Sequence, residues 1–449
     1  MATDDRSGEA PMVIIVGAGA AGIFTAYQIN KQWPGRFKVL LFEASPNIGG
    51  NVSSLTVQYG GKPYTVDLGA QFFDARSQPN YMDLILELGL EDQVAGYPLG
   101  LTLWENSTNQ RLFWIPARLG GFARYTLGDW IRLVQFGVFL VAAVLLNRVG
   151  QPDWTLSLDD WLAKVPLSKD FKQNVIKNFL YQFVSLPYLR LGEASAVYAT
   201  TYFVRTVLGS LATIKLGTNI PTFQTRQSLI GLLAILEHAL KASGVPAQNN
   251  SPVTAVAPGA DGVEVTVNGK TIHAQHVVMA CNPGASATIL RNGGSTKLEL
   301  IELLQGLADQ YLNLSIIMQK DGSHWMPGDH GYWEAVSTLV DTPLHSVSFN
   351  VWLGPLRSPY NGAQLIPVFK SWGSPDLNPG GFSSAFFSHT HNVLLPTTTF
   401  MRLRRKLDAY QGQNGLLFAG GWTNWFDSQE AALISAINVT QRLKPPGDM

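Results

Sequence analysis

The 449-residue sequence predicts an α/β protein: a Rossmann-like three-layer (ββα) domain beside a discontinuous second domain of mixed sheet plus helices. Three observations carry that prediction. A glycine-rich turn sits between two apolar strands near the amino end, a β-meander feeds an apolar strand in the middle, and a strand, glycine pair and helix close the chain.

Met12 to Val16 is an unbroken apolar run, the mark of a parallel strand covered on both faces. Gly17, Gly19 and Gly22 follow as G-x-G-x-x-G, with Ala18, Ala20 and Ala21 between them, at the turn into a helix. Bare backbone there lets phosphate approach free N–H groups and the positive end of the helix dipole. A second apolar strand, Lys38 to Phe42, ends in Glu43, 21 residues beyond Gly22 and placed to accept hydrogen bonds from ribose hydroxyls. A carboxylate there repels a 2′-phosphate, so the pattern predicts FAD or NAD and not NADP.

Apolar residues make up 46% of the chain, enough for two domains. Lysine plus arginine balances aspartate plus glutamate at 32 each, leaving no net field to draw nucleic acid, which is not an expected partner. The single cysteine, Cys281, excludes disulfides within the chain and cysteine-based zinc sites and fits a reducing compartment. No signal-peptide pattern precedes the first strand, so a cytoplasmic location is expected. Phe136 to Leu146 is apolar throughout, but eleven helical residues reach about 16 Å against a hydrocarbon core of about 30 Å, too short to span. A helix packed inside the protein is expected; the other reading lines the mouth of an apolar tunnel and touches lipid.

Val66 to Phe73 (VDLGAQFF) reads as a strand and glycine turn. Residues 81–224 and 306–394 form the second domain, mainly helical over 85–224, with strands at Leu312 to Gln319, Ser346 to Trp352 and Leu365 to Trp372. Residues 1–80, 225–305 and 395–449 assemble the first domain from three pieces. In these lie a helix from Gln227 to Ala242, a meander from Val253 to Ala274, a buried strand from Val277 to Ala280, a last strand from Gly415 to Ala419 and a helix from about Ser428 to Leu443.

In order and spacing these segments resemble the flavin-dependent amine oxidase superfamily, which includes phytoene-desaturase-like and polyenoic fatty acid isomerase-like members. The matching motifs are VGAGAAG with Glu43 and Ala44, then Gly49 and Gly50, VDLGAQFF, SPVTAV with VVMACNP, and LLFAGGWTNWFDSQEAALISA. The resemblance implies non-covalent FAD. Asn51, Gly69, Ala70, Gln71 and Phe72 then join the cradle, the Val253 backbone meets adenine, and Gly420, Gly421, Trp422, Ser428, Gln429 and Glu430 surround the flavin. N–H groups near Gln429 and Glu430 would face the ring's pyrimidine edge, where a helix N-terminus stabilises negative charge. Three positions depart from the family pattern: Asn51 replaces an arginine or lysine, Trp422 a glutamate, and Ser428 one tyrosine of the amine-binding aromatic cage.

The tail, with HNVLLPTTTF before it, looks closest to the polyenoic fatty acid isomerase branch, and a second domain rich in aromatics and poor in carboxylates suits a small apolar substrate such as a free fatty acid. The implied chemistry is hydride exchange between substrate carbon and flavin N5 that moves a double bond. Trp422, Trp425 and Phe426 are candidates for an aromatic wall against a transient cation, and Arg118, Arg124 and Arg205 for a bidentate partner to a substrate carboxylate. The alternative is net oxidation, of an amine or by desaturation, with oxygen or a quinone accepting electrons. There Lys370 is the candidate to hold a water beside N5, against the plainer reading of a solvent-facing strand lysine. His389 and His391 have the spacing of a metal pair without a third ligand near them in sequence, and no metal is expected. A flavin-binding carrier is a third reading, disfavoured by the large second domain.

Overall fold

The computed structural model describes residues 10–445 apart from 60, 70–72, 74–76, 99, 149, 185, 212–220, 226–228, 296, 321, 357–366, 374–384 and 426. A five-stranded parallel sheet runs in the order Leu416–Phe418, His276–Met279, Met12–Val16, Lys38–Phe42, Ala247–Gln248. Alternation along Met12–Val16 explains its unbroken apolar run. Val13 and Ile15 pack with the helix side, Ile14 and Val16 with the antiparallel meander Val253–Pro258, Val263–Val267, Lys270–Ala274 on the other side. On the helix side, Ala20–Gln32 lies between Leu229–Ser243 and Gln429–Arg442. The strands end in register, Val16 beside both Phe42 and Met279, and Met279 beside Phe418. Three chain segments far apart in sequence therefore turn out at one sheet edge, the place where open parallel sheets take ligands.

A second, seven-stranded mixed sheet has the order Ala385–Leu394, Tyr311–Gln319, Phe369–Gly373, Ser346–Trp352, Val336–Asp341, Leu101–Glu105, Gln110–Ile115. Its strands at 311–319 and 346–352 lie where the sequence pattern puts them. The strand expected from Leu365 begins at Phe369, and residues 365 and 366 lie outside the described set. The stretch 85–224 is less helical than its composition suggests. Val94–Pro98, Leu101–Glu105, Gln110–Ile115 and Pro221–Thr225 are strands, and the second and third form a hairpin whose turn holds Asn109 at φ +51°, a conformation asparagine tolerates.

The apolar run at 136–146 is the middle of a 22-residue helix, Leu127–Arg148, about 33 Å long. Its start is fixed by a reciprocal cap: Thr126 N–H donates to Asp129 Oδ2 (2.9 Å) and Asp129 N–H to Thr126 Oγ1 (3.3 Å). Arg111 completes the cap at 2.6 Å from the same carboxylate oxygen. Length therefore does not exclude a span, and among the described residues this helix is long and apolar enough to cross a membrane. Nor is it enclosed: only Asp129, Phe136, Phe139 and Ala143 are buried.

Candidate functional site

The amino-terminal turn is built to admit a phosphate group. Gly17 takes φ +102°, and a Cβ on Gly22 would stand 1.9 Å from the Gly17 carbonyl oxygen, so the helix can start this close to the strand only with glycine there. Gly19 caps the helix without a side-chain acceptor and no acid occupies the first turn, which leaves the N–H groups at Ala20 and beyond as donors. Gly49 N–H donates to the Ala18 carbonyl (2.9 Å) and brings the Gly49–Gly50 turn across the same opening. Glu43 accepts from Ala18 N–H (2.7 Å) and Ser45 N–H (2.9 Å), with Ala44 between. Its own N–H and carbonyl bond Gln248 O (3.0 Å) and Ser251 N (2.8 Å), tying the start of the Val253 strand to the carboxylate. An uncapped helix end, bare glycines and an inward carboxylate fit the pyrophosphate and ribose of FAD.

At the carboxyl end, Gly420 has φ +142° and a Cβ there would meet the Trp422 indole at 2.6 Å. Gly420 N–H donates to Ser435 Oγ (2.9 Å), which binds the Gly420–Gly421 turn to the last helix. Trp422 is buried, donating from Nε1 to the Cys281 carbonyl (3.2 Å) and packing on Phe418, so it braces two strand ends. Trp425 is half-buried and stacked on Trp154 at 4.6 Å, with the Arg404 guanidinium 4.6 Å above its ring. Ser428 caps the last helix through Ala431 N–H (3.1 Å), leaving the Gln429 and Glu430 N–H groups at its tip. The Glu430 side chain is turned elsewhere. It accepts from Asn80 Nδ2 (2.6 Å), Asn80 N–H (3.2 Å) and Tyr81 N–H (2.8 Å) and so caps the helix Pro79–Glu87. Ala70, Gln71, Phe72 and Phe426 lie outside the described residues.

Lys370 is not solvent-facing. It is fully buried, donating from Nζ to the carbonyls of Asp67 (2.6 Å) and Gly69 (3.3 Å), with the Trp372 ring 3.9 Å away. The reason is register: Lys370 pairs with Met318 and Val351 in the interior of the second sheet, on the side where VDLG crosses. The His391 ring lies beside Gly69, 3.6 Å from where a Cβ would sit, and Asn51 Nδ2 reaches Asn392 O at 3.4 Å. Burial, then His389, then Lys370 push the His391 imidazole down to about 4, so it is neutral near pH 7. Gly69, Asn51, Lys370 and His391 thus converge. His389 and His391 alternate along one strand, and the register through the strand Tyr311–Gln319 puts His391 on the same face as Lys370.

Asp427 is a second residue that the motif did not single out. It directly precedes Ser428, the cap of the last helix. Burial raises its carboxyl above the usual range, against the Leu394 N–H that lowers it. Tyr198 Oη takes the Asp427 N–H at 3.4 Å, and burial, then Asp427, raise the Tyr198 and Tyr311 hydroxyls. Burial also lifts the Cys281 thiol to about 11. Of the arginines, Arg118 and Arg205 are exposed, and Arg124 is engaged by the Gly331 carbonyl, by Asp329 at 3.6 Å and by the Tyr332 ring at 4.4 Å.

A family model described as flavin containing amine oxidoreductase matches residues 20–365. The chain belongs to that family. It is an FAD-dependent oxidoreductase-type enzyme. No curated protein matches the chain. Among solved structures it is similar to a CLA-producing fatty acid isomerase from P. acnes (14% identity, TM-score 0.65), covering 96% of this chain and 98% of that one. Putrescine oxidase bound to putrescine (13%, TM-score 0.65) and cyclohexylamine oxidase from Brevibacterium oxydans IH-35A (14%, TM-score 0.63) match over the same shares, 96% and 98%. At these identities the likeness is one of fold.

Proposed function

We propose that the enzyme rearranges a double bond in an unsaturated, apolar, fatty-acid-like substrate. FAD is held non-covalently, with Gly17 to Gly22 at the pyrophosphate, Glu43 at the ribose, Val253 at the adenine, and Gly420, Gly421 and the Gln429 and Glu430 N–H groups at the flavin. The bound flavin supplies hydride acceptance and return at N5. One observation carries the substrate class: an aromatic series runs through the second domain. Phe113, Phe136, Phe179 and Phe203 pack at 4.9 to 5.2 Å, and Phe183 and Tyr202 continue the line at 5.7 and 6.0 Å to Gln78, whose Nε2 donates to Tyr202 Oη at 3.1 Å. This packed aromatic core makes the second domain an apolar host, which suits a carbon chain better than a cation.

Lys370 orders the Asp67–Gly69 turn. A second reading, net oxidation, is favoured by Lys370, whose buried ammonium group could also hold a water in that turn. The test is anaerobic incubation with polyunsaturated free acids and with amines. Isomerised product without flavin bleaching or peroxide is expected, whereas stoichiometric bleaching by an amine, or oxygen consumed one for one with product, would overturn the proposal.

A further inference from the structure

The helix Leu127–Arg148 presents a continuous apolar face to solvent. Leu127, Ile131, Val134, Val138, Val141 and Leu145, spaced alternately by four and three residues, are all exposed, Leu127 at 77% and Val134 at 67%. The stripe is about 27 Å long. Trp130, 47% exposed, stands at its amino end, with the half-buried Phe122 stacked against it at 6.3 Å and Leu119 exposed on the preceding turn. The opposite face is locked down, because Phe136, Phe139 and Ala143 belong to the aromatic core of the second domain. The helix therefore lies flat along the molecule, one side fixed and one side bare.

Charge decides what covers it. Between 118 and 148 the chain carries four arginines, Arg118, Arg124, Arg132 and Arg148, and one acid, Asp129, which is buried and paired to Arg111 at 2.6 Å. Arg124 shares Asp329 at 3.6 Å. Ser168 Oγ donates to Gln135 Oε1 (2.9 Å), which sets Lys169, Asp170 and Lys172 alongside. Arg132 is half-buried on the face of Phe136 and Phe139, whereas Arg118, Arg124 and Arg148 are exposed; in a chain neutral overall these three are a local excess of positive charge beside the apolar strip. In a two-fold pair through this face, arginines would meet arginines with no exposed acid of the segment to answer them. An anionic lipid surface answers both the strip and the charge.

We propose that Leu127–Arg148 docks the enzyme on anionic lipid bilayers, lying in the interface with Trp130 and the apolar stripe inserted and the arginines at headgroup level. The inference does not rest on the substrate proposed above. The FAD-loaded enzyme should cosediment with vesicles of phosphatidylcholine containing a quarter phosphatidylglycerol, and at least tenfold less with phosphatidylcholine alone or in 0.5 M salt. The double substitution Val134→Asp with Val138→Asp, at exposed positions outside the cofactor site, should keep bound flavin and lower anionic-vesicle binding at least tenfold; Arg118→Gln with Arg148→Gln should lower it and flatten the salt dependence. Absence of vesicle binding, or binding indifferent to both variants, overturns the proposal. So does a dimer of the parent enzyme, without lipid, that Val134→Asp with Val138→Asp splits, since a second copy would then be the occupant.

Discussion

Replacing Glu43 with alanine tests the ribose assignment directly. In the folded chain its two oxygens take the N–H groups of Ala18 at 2.7 Å and Ser45 at 2.9 Å. Ser45 is exposed and water can replace the lost acceptor, but Ala18 is fully buried, so its N–H loses a charge-assisted partner with no cheap substitute. A bond of that kind contributes roughly 1.5 to 3 kcal/mol. When a ribose hydroxyl also donates to the carboxylate, the variant's FAD dissociation constant should rise by about 10- to 150-fold. The assay is titration of apoprotein with FAD and, in parallel, with FMN, which lacks the adenosine end. FAD should weaken and FMN should not. A change below threefold for FAD, or an equal loss for both, would show that Glu43 does not meet the adenosine ribose.

Glu430→Ala should lower the thermal midpoint sharply, by a free energy on the order of 3 kcal/mol, because Asn80 and Tyr81 lose a buried carboxylate that accepts three hydrogen bonds; Glu430→Gln should lose less, and equal losses in the two melts would refute the capping role. His391 sets a pH dependence. Its folded value of about 4 lies below the unfolded 6.5, so the stability it contributes is complete above pH 6.5 and falls away between 6.5 and 4, by up to about 3 kcal/mol. Urea midpoints from pH 7 to 4.5 should fall less steeply in His391→Asn than in the parent, and parallel slopes would contradict the buried, neutral imidazole.

The fold of the parallel-sheet half was readable because its requirements are local. Strand, glycine turn and acid follow one another from Met12 to Glu43, and a close approach that only Gly22 permits leaves its trace in one residue type. The second sheet was only partly legible. Val336–Asp341 is buried at every position and shows no alternation, and Leu101–Ile115 becomes β-structure by pairing with it across more than two hundred residues. The roles of Trp422 and Glu430 were hidden for a related reason: each acts on a distant segment, the Cys281 carbonyl and the Pro79 helix, that no motif spacing encodes. For Lys370, burial followed from sheet register, which composition does not reveal. For Leu127–Arg148, hydropathy announced an apolar helix without saying which side the protein would leave uncovered.

The central sheet takes its strands from residues 12–42, 247–279 and 416–418. During synthesis the first strand gains its second neighbour only at residues 276–279 and the sheet its outer strand only at 416–418, and contacts of such long sequence separation are slow to close. The nascent amino-terminal unit is thus the oldest part of the enzyme and among the last to mature. Because the helix Gln429–Arg442 packs on the amino-terminal helix, a chain cut before Gly420 should remain colourless and aggregation-prone.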